Sequence, residues 1–566
     1  MAEIRTRAID TVGSIPDLIV ASARTWPDRP ALWRWSGSQF EPLTYRRLQA
    51  TLATLSRDLA AHGAVPDRRV AIWVPDRFTW GLTYLAVLHT GATAVPIDPS
   101  LTPTEIAAIL ADSEASLLIA DAACPALSLS GLSVPVVLIQ DIWPSVNEIA
   151  PDAGIDSPTI DLSTPASILF TSGTTGGAKG VVLTHANIVS DIAAIRMMGL
   201  LDHEDVLLSI LPIHHAFECT AGFLYPLAIG AQVAFARSLK SNEVLEDLRL
   251  TRASVMLGVP LFFEKMQKGI RRRIGEADWI RRIMFLVLSA LVKGAHAVGI
   301  RRAGRVLFWP LRRAAGLGGL RILVSGGAAL PAPVAEFFDR VGLPLLQGYG
   351  LSEASPVVSV NRPGAYRYDT CGPPLPTVEV RLRDRRPDGV GEFAVRGPMV
   401  MRGYWRKPEE TAAVLRDGWL LTGDLGLIEP DGHLRIVGRS KNVIISGAGK
   451  NVYPEEIEAV LGIEPEIAES VVYGLTRPGK IGELVAAIIV PDFDWLAVSM
   501  RQALDDESVL RQCMDAAVRR CCERMAPFKR ITEWELRHEP FAKTSTRKIK
   551  RHVLRDVADA DQRAAT

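Results

Sequence analysis

Short runs of β-branched and aliphatic residues recur along this chain with helix-like stretches between them, and that rhythm constrains the fold more than any other feature. From Tyr45 to Val136 the runs Val70–Val74 and Leu117–Ala120 stand out in this way. Strands separated by helices imply a parallel sheet with helical crossovers. The alternation resumes at Ser167–Phe170, Val206–Leu211, Gln232–Phe235 and Arg321–Ser325, so a large α/β unit is expected to run to about residue 438. With 566 residues the chain exceeds what one hydrophobic core usually organises, so at least two folded units are expected. Past Gly438 come strand-like Val443–Ile445, a Gly-rich turn, a helix opening at Pro454, strands near Glu469–Tyr473 and Leu484–Ile489, and a basic tail. These read as a separate small α+β domain, so the boundaries expected are 1–438 for the large domain and 442–566 for the small one.

The formal charge is only +1, so no global field favours nucleic acid, and any electrostatic partner must meet a local patch. One exists. From Lys265 to Arg313 there are thirteen Lys or Arg against Glu276 and Asp278, a local excess of +11 that marks an insertion at about 265–313. Its arginine clusters interrupt apolar stretches containing Trp279, Phe285, Phe308 and Trp309, a composition suited to an anionic membrane surface, to an acidic partner, or to an ordinary solvated helical pair. Cys124, Cys219, Cys371, Cys513, Cys521 and Cys522 lack CxxC spacing, which argues against zinc and against a secreted disulfide framework and suggests a reducing cytoplasm. Met1–Pro16 lacks the apolar core of a secretory signal, and the densest apolar run, Ile283–Val292, is about half the roughly 20 residues that cross a bilayer.

The strongest local chemical signal is Thr171-Ser172-Gly173-Thr174-Thr175-Gly176-Gly177-Ala178-Lys179-Gly180, after the apolar run Ala166–Phe170 and before a helix expected near Thr184. Hydroxyls, close-approaching backbone N–H groups and one lysine suit the oxygens of a polyphosphate. It is no Walker A loop, because Ala178 and Gly180 flank the lysine where Gly and Ser or Thr are needed. Downstream, Leu211-Pro-Ile-His214-His215-Ala-Phe217-Glu218 follows a strand. Adjacent histidines are expected to diverge, and the spacing is wrong for a helical zinc pair, so no metal is expected there.

The loop resembles the phosphate loop of the adenylate-forming superfamily: acyl-CoA synthetases, luciferases, aryl-CoA ligases and peptide-synthetase adenylation domains. Further landmarks follow in the order that resemblance implies. Ser325-Gly326-Gly327-Ala328-Ala329 resembles the adenine-side segment, Gln347-Gly348-Tyr349-Gly350-Leu351-Ser352-Glu353 the second nucleotide segment, and Thr422-Gly423-Asp424 the segment whose aspartate holds ribose hydroxyls. Gly438-Arg439-Ser440-Lys441 is similar to the hinge, and Lys543 to Arg551, including Lys548, to the carboxy-terminal catalytic segment. With the weaker Thr44–Leu48, the resemblance spans residues 44–551.

What the resemblance implies is an AMP-forming acid-thiol ligase using ATP, Mg2+ and CoA. Adenylation is an in-line attack by a carboxylate on the α-phosphorus of ATP, so repulsion between anions must be offset by cations and N–H donors. Carried over residue by residue, Lys179 and the loop Thr171–Gly176 hold the β- and γ-phosphates, Glu353 ligates Mg2+, and Lys548 reaches the α-phosphate and acyl oxygens. Gly326, Gly327, Ala328, Gly348, Tyr349, Gly350 and Ser352 line the nucleotide, with Asp424 and Arg439 on its ribose side. His215 closes the acyl-carboxylate pocket. Lys441 is the pivot on which the small domain turns to bring Gly447, Gly449 and Lys450 to the thiol side. Two positions depart from the usual pattern: Arg547 replaces a glycine before the catalytic lysine, and Leu421 stands where a basic residue or His is common. His215-Ala-Phe-Glu and Gly449-Lys450-Asn-Val-Tyr-Pro are more similar to fatty acyl ligases than to aryl or amino-acid activators. The expected function is therefore a fatty acid–CoA ligase in the cytoplasm, with peripheral contact at the inner membrane face through the basic insertion. The alternatives are an acyl-AMP ligase loading the phosphopantetheine of an acyl carrier protein, and a non-catalytic acyl-binding scaffold.

Overall fold

Val206–Ser209, Val255–Gly258 and Ile322–Ser325 are buried along their whole length, as strands of a parallel sheet covered on both faces must be. In the computed structural model they lie side by side in a sheet of eight strands, beginning with Val357–Val360 and continuing through Leu345–Gly350, Ile322–Ser325, Val255–Gly258, Val206–Ser209, Gln232–Phe235 and Pro30–Trp35 to Phe40–Thr44. The inner pairings are parallel and the two outermost antiparallel. The structure describes residues 13–124, 134–143, 158–171, 178–276, 278–447, 450–477, 482–499, 506–543, 549 and 551.

The chain forms two compact units. The first comprises Met1–Val380, Val395–Leu420 and Pro430–His433, and the second Arg381–Ala394, Leu421–Glu429 and Leu434–Thr566. A second sheet of the first unit has seven strands, in the order Gly403–Tyr404, Lys179–Thr184, Pro165–Thr171, Thr93–Pro96, Arg69–Trp73, Leu117–Ala120, Val136–Leu138. Its core holds Trp73, Val95, Ile106, Leu118 and Ile168. Burying each such side chain contributes on the order of 1.5–3 kcal/mol. The α/β layers expected from the alternation are therefore present.

One element is additional to those expected from the sequence. The run after the Thr/Ser/Gly loop is a strand before it is a helix: Lys179–Thr184 pairs antiparallel with Pro165–Thr171, so the loop links a hairpin. Val181, Val182 and Leu183 are buried and favour the pleat. The helix His185–Met197 then starts where expected, capped by Thr184 and Asn187 in a reciprocal box.

The basic insertion forms the helices Pro260–Glu276, Trp279–Ala297, Ala303–Leu307 and Trp309–Ala314, which send Phe263, Val292 and Phe308 into the core of the first unit. In the second unit, Ile467–Thr476 and Glu483–Pro491 pair antiparallel and Glu533–Leu536 adds in parallel. The helices Pro454–Leu461 and Glu507–Glu523 bury Ile457, Leu461, Met514 and Cys521 in the same core, which is the small α+β arrangement expected.

Candidate active site

In an open parallel sheet the crevice beyond the carboxyl ends of the strands is where ligands gather. The landmark segments leave the eight-stranded sheet there. His214, His215 and Phe217 follow Val206–Ser209, Gly326 and Gly327 follow Ile322–Ser325, and Gln347–Gly350 closes the neighbouring strand. They meet in space: a Cβ on Gly326 would lie 2.9 Å from the Phe217 ring. Gly327 has φ +82°, a conformation open to glycine at little cost. Gly350 is forced by close approach, since a Cβ there would stand 1.9 Å from the Pro356 carbonyl oxygen. That contact lets Leu351 N–H donate to Pro356 O and sets the turn Ser352–Ala354 that bears Glu353.

Glu353 and Lys179 are brought together by strand pairing. Gly403–Tyr404 adds to the edge of Lys179–Thr184, with Tyr404 opposite Val181 and Gly403 opposite Val182. The Tyr404 hydroxyl donates to Glu353 Oε1 at 2.9 Å, and Lys179 Nζ lies 5.1 Å from the Tyr404 ring centroid. Met401 N–H, just before that strand, donates to the Glu353 carbonyl at 2.8 Å. Burial, then the Glu353 charge, pushes the Tyr404 hydroxyl well above its ordinary pKa, so it stays a donor. Tyr404 was not singled out by sequence reasoning. The arrangement places a cation, a hydroxyl donor and a carboxylate around one end of the Thr171–Gly180 loop. Of that loop, Thr171, Ala178, Lys179 and Gly180 are described, whereas Ser172, Gly173, Thr174, Thr175 and Gly176 lie outside the described residues.

The histidines differ from expectation. They sit on a turn and not on a strand, so pleat alternation does not separate them, and their ring centroids are 4.3 Å apart. Asp98, from beyond Thr93–Pro96, joins them: one potential ligand atom from each of Asp98, His214 and His215 lies within 4.8 Å of the others. His214 Nε2 is 3.5 Å from the Asp98 carboxylate, an ion-pair distance too long for a strong hydrogen bond. Such a set can orient a carboxylate or hold a cation, and Asp98 could be found only from three dimensions. Behind it, Glu218 lies on the π-helical turn Phe217–Leu224 and is fully buried. Burial pushes its carboxyl up to about 7, with the Ser209 hydroxyl and the Arg77 charge offsetting only part of that.

In the second unit, Asp424 and Arg439 face each other across adjacent antiparallel strands, and Arg439 Nε donates to Asp424 Oδ1 at 2.8 Å. Asp424 is buried and Arg439 half-exposed. The pair presents a fixed carboxylate of the kind that accepts hydrogen bonds from vicinal hydroxyls. Lys441 lies on the single turn Ser440–Asn442. Lys450 N–H donates to Ser446 Oγ, and its ammonium lies 4.6 Å from the Phe528 ring centroid. Gly447 approaches Gly482 so closely that a Cβ on Gly482 would lie 2.6 Å from Gly447 N. Gly449 and Lys548 lie outside the described residues.

Residues 19–405 match the model of a family described as AMP-binding enzyme. The chain is 28% identical to the long-chain-fatty-acid–CoA ligase of Mycobacterium bovis, over 99% of each chain. It is 32% identical to the feruloyl-CoA synthase of an Amycolatopsis species, over 79% of this chain and 84% of that one. The structure of o-succinylbenzoate coenzyme A synthetase from Bacillus subtilis, in complex with ATP and magnesium, superposes with a TM-score of 0.75 at 23% identity, covering 95% of this chain and 99% of the other.

Proposed function

Because this chain belongs to the AMP-binding enzyme family and is an AMP-forming acid-thiol ligase, we propose that its acid is a medium- to long-chain fatty acid and its acceptor the thiol of CoA. The observation that carries the reading is the end-to-end likeness to a long-chain-fatty-acid–CoA ligase, over 99% of both chains. The domain scheme proposed with it is a large domain over 1–438, a hinge at 439–441 and a small mobile domain over 442–566.

In the first half-reaction the fatty carboxylate oxygen attacks the α-phosphorus of ATP, a P–O bond forms, and pyrophosphate leaves. Two anions must approach, so the chain's work is electrostatic. Lys179 and the loop Thr171–Gly176 bind the β- and γ-phosphates, and the Asp98–His214–His215 group orients the acyl carboxylate, His215 foremost. Gly326, Gly327, Ala328, Gly348, Gly350 and Ser352 admit the base and sugar because small residues there let backbone approach the ring, and Tyr349 lines the same segment. Asp424, held by Arg439, accepts from ribose hydroxyls. Glu353, a hard oxygen donor steadied by Tyr404, would hold Mg2+, which would supply positive charge to offset that of the phosphates. Lys548 neutralises the α-phosphate and acyl oxygens.

In the second half-reaction the thiolate sulfur attacks the acyl carbonyl, the acyl C–O bond breaks, and AMP departs. Lys548 must vacate the space the thiol needs, which rotation about Lys441 achieves, presenting Gly447, Gly449 and Lys450. The test is pyrophosphate release across acids of graded length, aromatic acids included, with CoA or an acyl carrier protein added in parallel. Release that peaks with aliphatic chains of about ten carbons or more and thioester formed on CoA is expected. A preference for ferulate-like acids, or acylation of carrier protein without CoA turnover, refutes the fatty acid–CoA reading.

A further inference from the structure

The helix Trp279–Ala297 is apolar on two sides, and only one of them is used by the protein. Its inner side packs Phe285 and Leu288 against the core that holds Val292, and the Phe285 and Phe308 ring centroids are 5.4 Å apart. Its outer side repeats apolar residues at helical spacing, Ile280, Ile283, Met284, Val287 and Leu291, all exposed. Trp279 at the start of the helix is 70% exposed, and Val306 on the following helix 72%. Isolated exposed apolar residues are ordinary, but a contiguous stripe marks a surface that meets something.

The charge of the segment that bears the stripe narrows what it meets. The segment carries the +11 excess noted above, and among its arginines Arg272 and Arg281 remain mostly exposed although they pair with Glu276 and Asp278. A second copy of this chain would bring the same positive excess against it. An acidic carrier protein would engage the arginines and leave the tryptophan-edged stripe unused. An anionic bilayer surface satisfies both, the stripe entering the acyl boundary and the arginines meeting headgroups. No helix among the described residues is long and apolar enough to cross a membrane, and with its inner side fixed in the core this one can only lie flat.

We propose that the outer face of Trp279–Ala297, with Val306 and the flanking arginines, is a docking surface for anionic lipid bilayers. Binding itself does not depend on the substrate reading. Only its use, collecting an acid that partitions into the same bilayer, rests on the fatty-acid assignment.

Co-sedimentation of the full chain with vesicles of phosphatidylcholine and phosphatidylglycerol in equal parts, against pure phosphatidylcholine, tests this. Binding to the mixed vesicles that weakens with salt is expected. Arg272→Glu/Arg302→Glu/Arg305→Glu should weaken it by about 100-fold or more. Ile283→Gln/Val287→Gln/Leu291→Gln should cost about tenfold or more while the arginines remain. All six positions are exposed, so far-UV circular dichroism and pyrophosphate release with a water-soluble medium-chain acid should match the parent, which keeps loss of docking distinct from loss of the ligase reading. No preference for anionic vesicles overturns the proposal, as does binding indifferent to the apolar substitutions. A parent dimer that the glutamine variant dissociates, or carrier-protein binding that the vesicles do not compete, also overturns it.

Discussion

Replacing Glu218 by Gln should change how stability depends on pH more than it changes stability at any one pH. The carboxyl is fully buried, neither oxygen has a well-formed hydrogen bond among the described residues, and burial raises its pKa from 4.5 to about 7. Between those values the folded protein keeps a proton that the unfolded chain gives up, so folding stability falls as pH rises. The slope is about 1.4 kcal/mol per pH unit, and the whole interval amounts to about 3 kcal/mol, present below pH 4.5 and lost above about pH 7. Glutamine is nearly isosteric with the protonated acid and does not titrate, so Glu218→Gln removes this slope. A buried amide adds its own offset of about 1–3 kcal/mol, but that offset is independent of pH. Urea unfolding followed by tryptophan fluorescence at pH 5, 6, 7 and 8 should therefore show the variant gaining on the parent up to about pH 7 and levelling off by pH 8. Parallel curves from pH 5 to 8, or a variant that loses ground as pH rises, would refute the assignment of a protonated buried acid at this position.

Lys548→Ala should lower pyrophosphate release by about 10² to 10³-fold, because one donor to a charge that develops in the transition state is removed, and stopped-flow detection of pyrophosphate reads this directly. Tyr404→Phe deletes the hydrogen bond to Glu353 and should reduce the same rate by about tenfold while raising the ATP and magnesium concentrations needed for half-maximal rate. Lys441→Pro should spare acyl-AMP formation and stop thioester formation, as separate assays of pyrophosphate and of free thiol will show; equal loss of both steps contradicts the hinge.

Much of this was legible because strands buried on both faces leave uninterrupted runs such as Val206–Ser209 and Ile322–Ser325, and because Gly326, Gly327 and Gly350 sit where backbone must approach closely. Three things were not legible, each for a physical reason. The strand Lys179–Thr184 adjoins a capped helix, and a short β-branched run next to a helix start is ambiguous by period. Asp98 follows a strand of one sheet and His214 a strand of the other, so their meeting is encoded by no local pattern. The docking face was ambiguous because Trp279–Ala297 is apolar on both sides, so composition shows that the helix is amphiphilic in an unusual way but cannot tell which stripe the core takes.

The placement of the phosphate-side charges shows how little needs to be specified once the sheet exists. Lys179 stands opposite Thr171 in one pairing, and Tyr404 opposite Val181 in the next. Side chains alternate faces along a strand, so slipping either pairing by one residue would turn Lys179 or Tyr404 to the opposite face and break the link to Glu353. The buried Val182, whose partner in the edge strand is Gly403, and the hydrogen bonds Arg402 N–H to Val182 O and Trp405 N–H to Gly180 O hold that register. Apolar residues that touch no substrate thereby determine where the cation, the hydroxyl and the carboxylate meet.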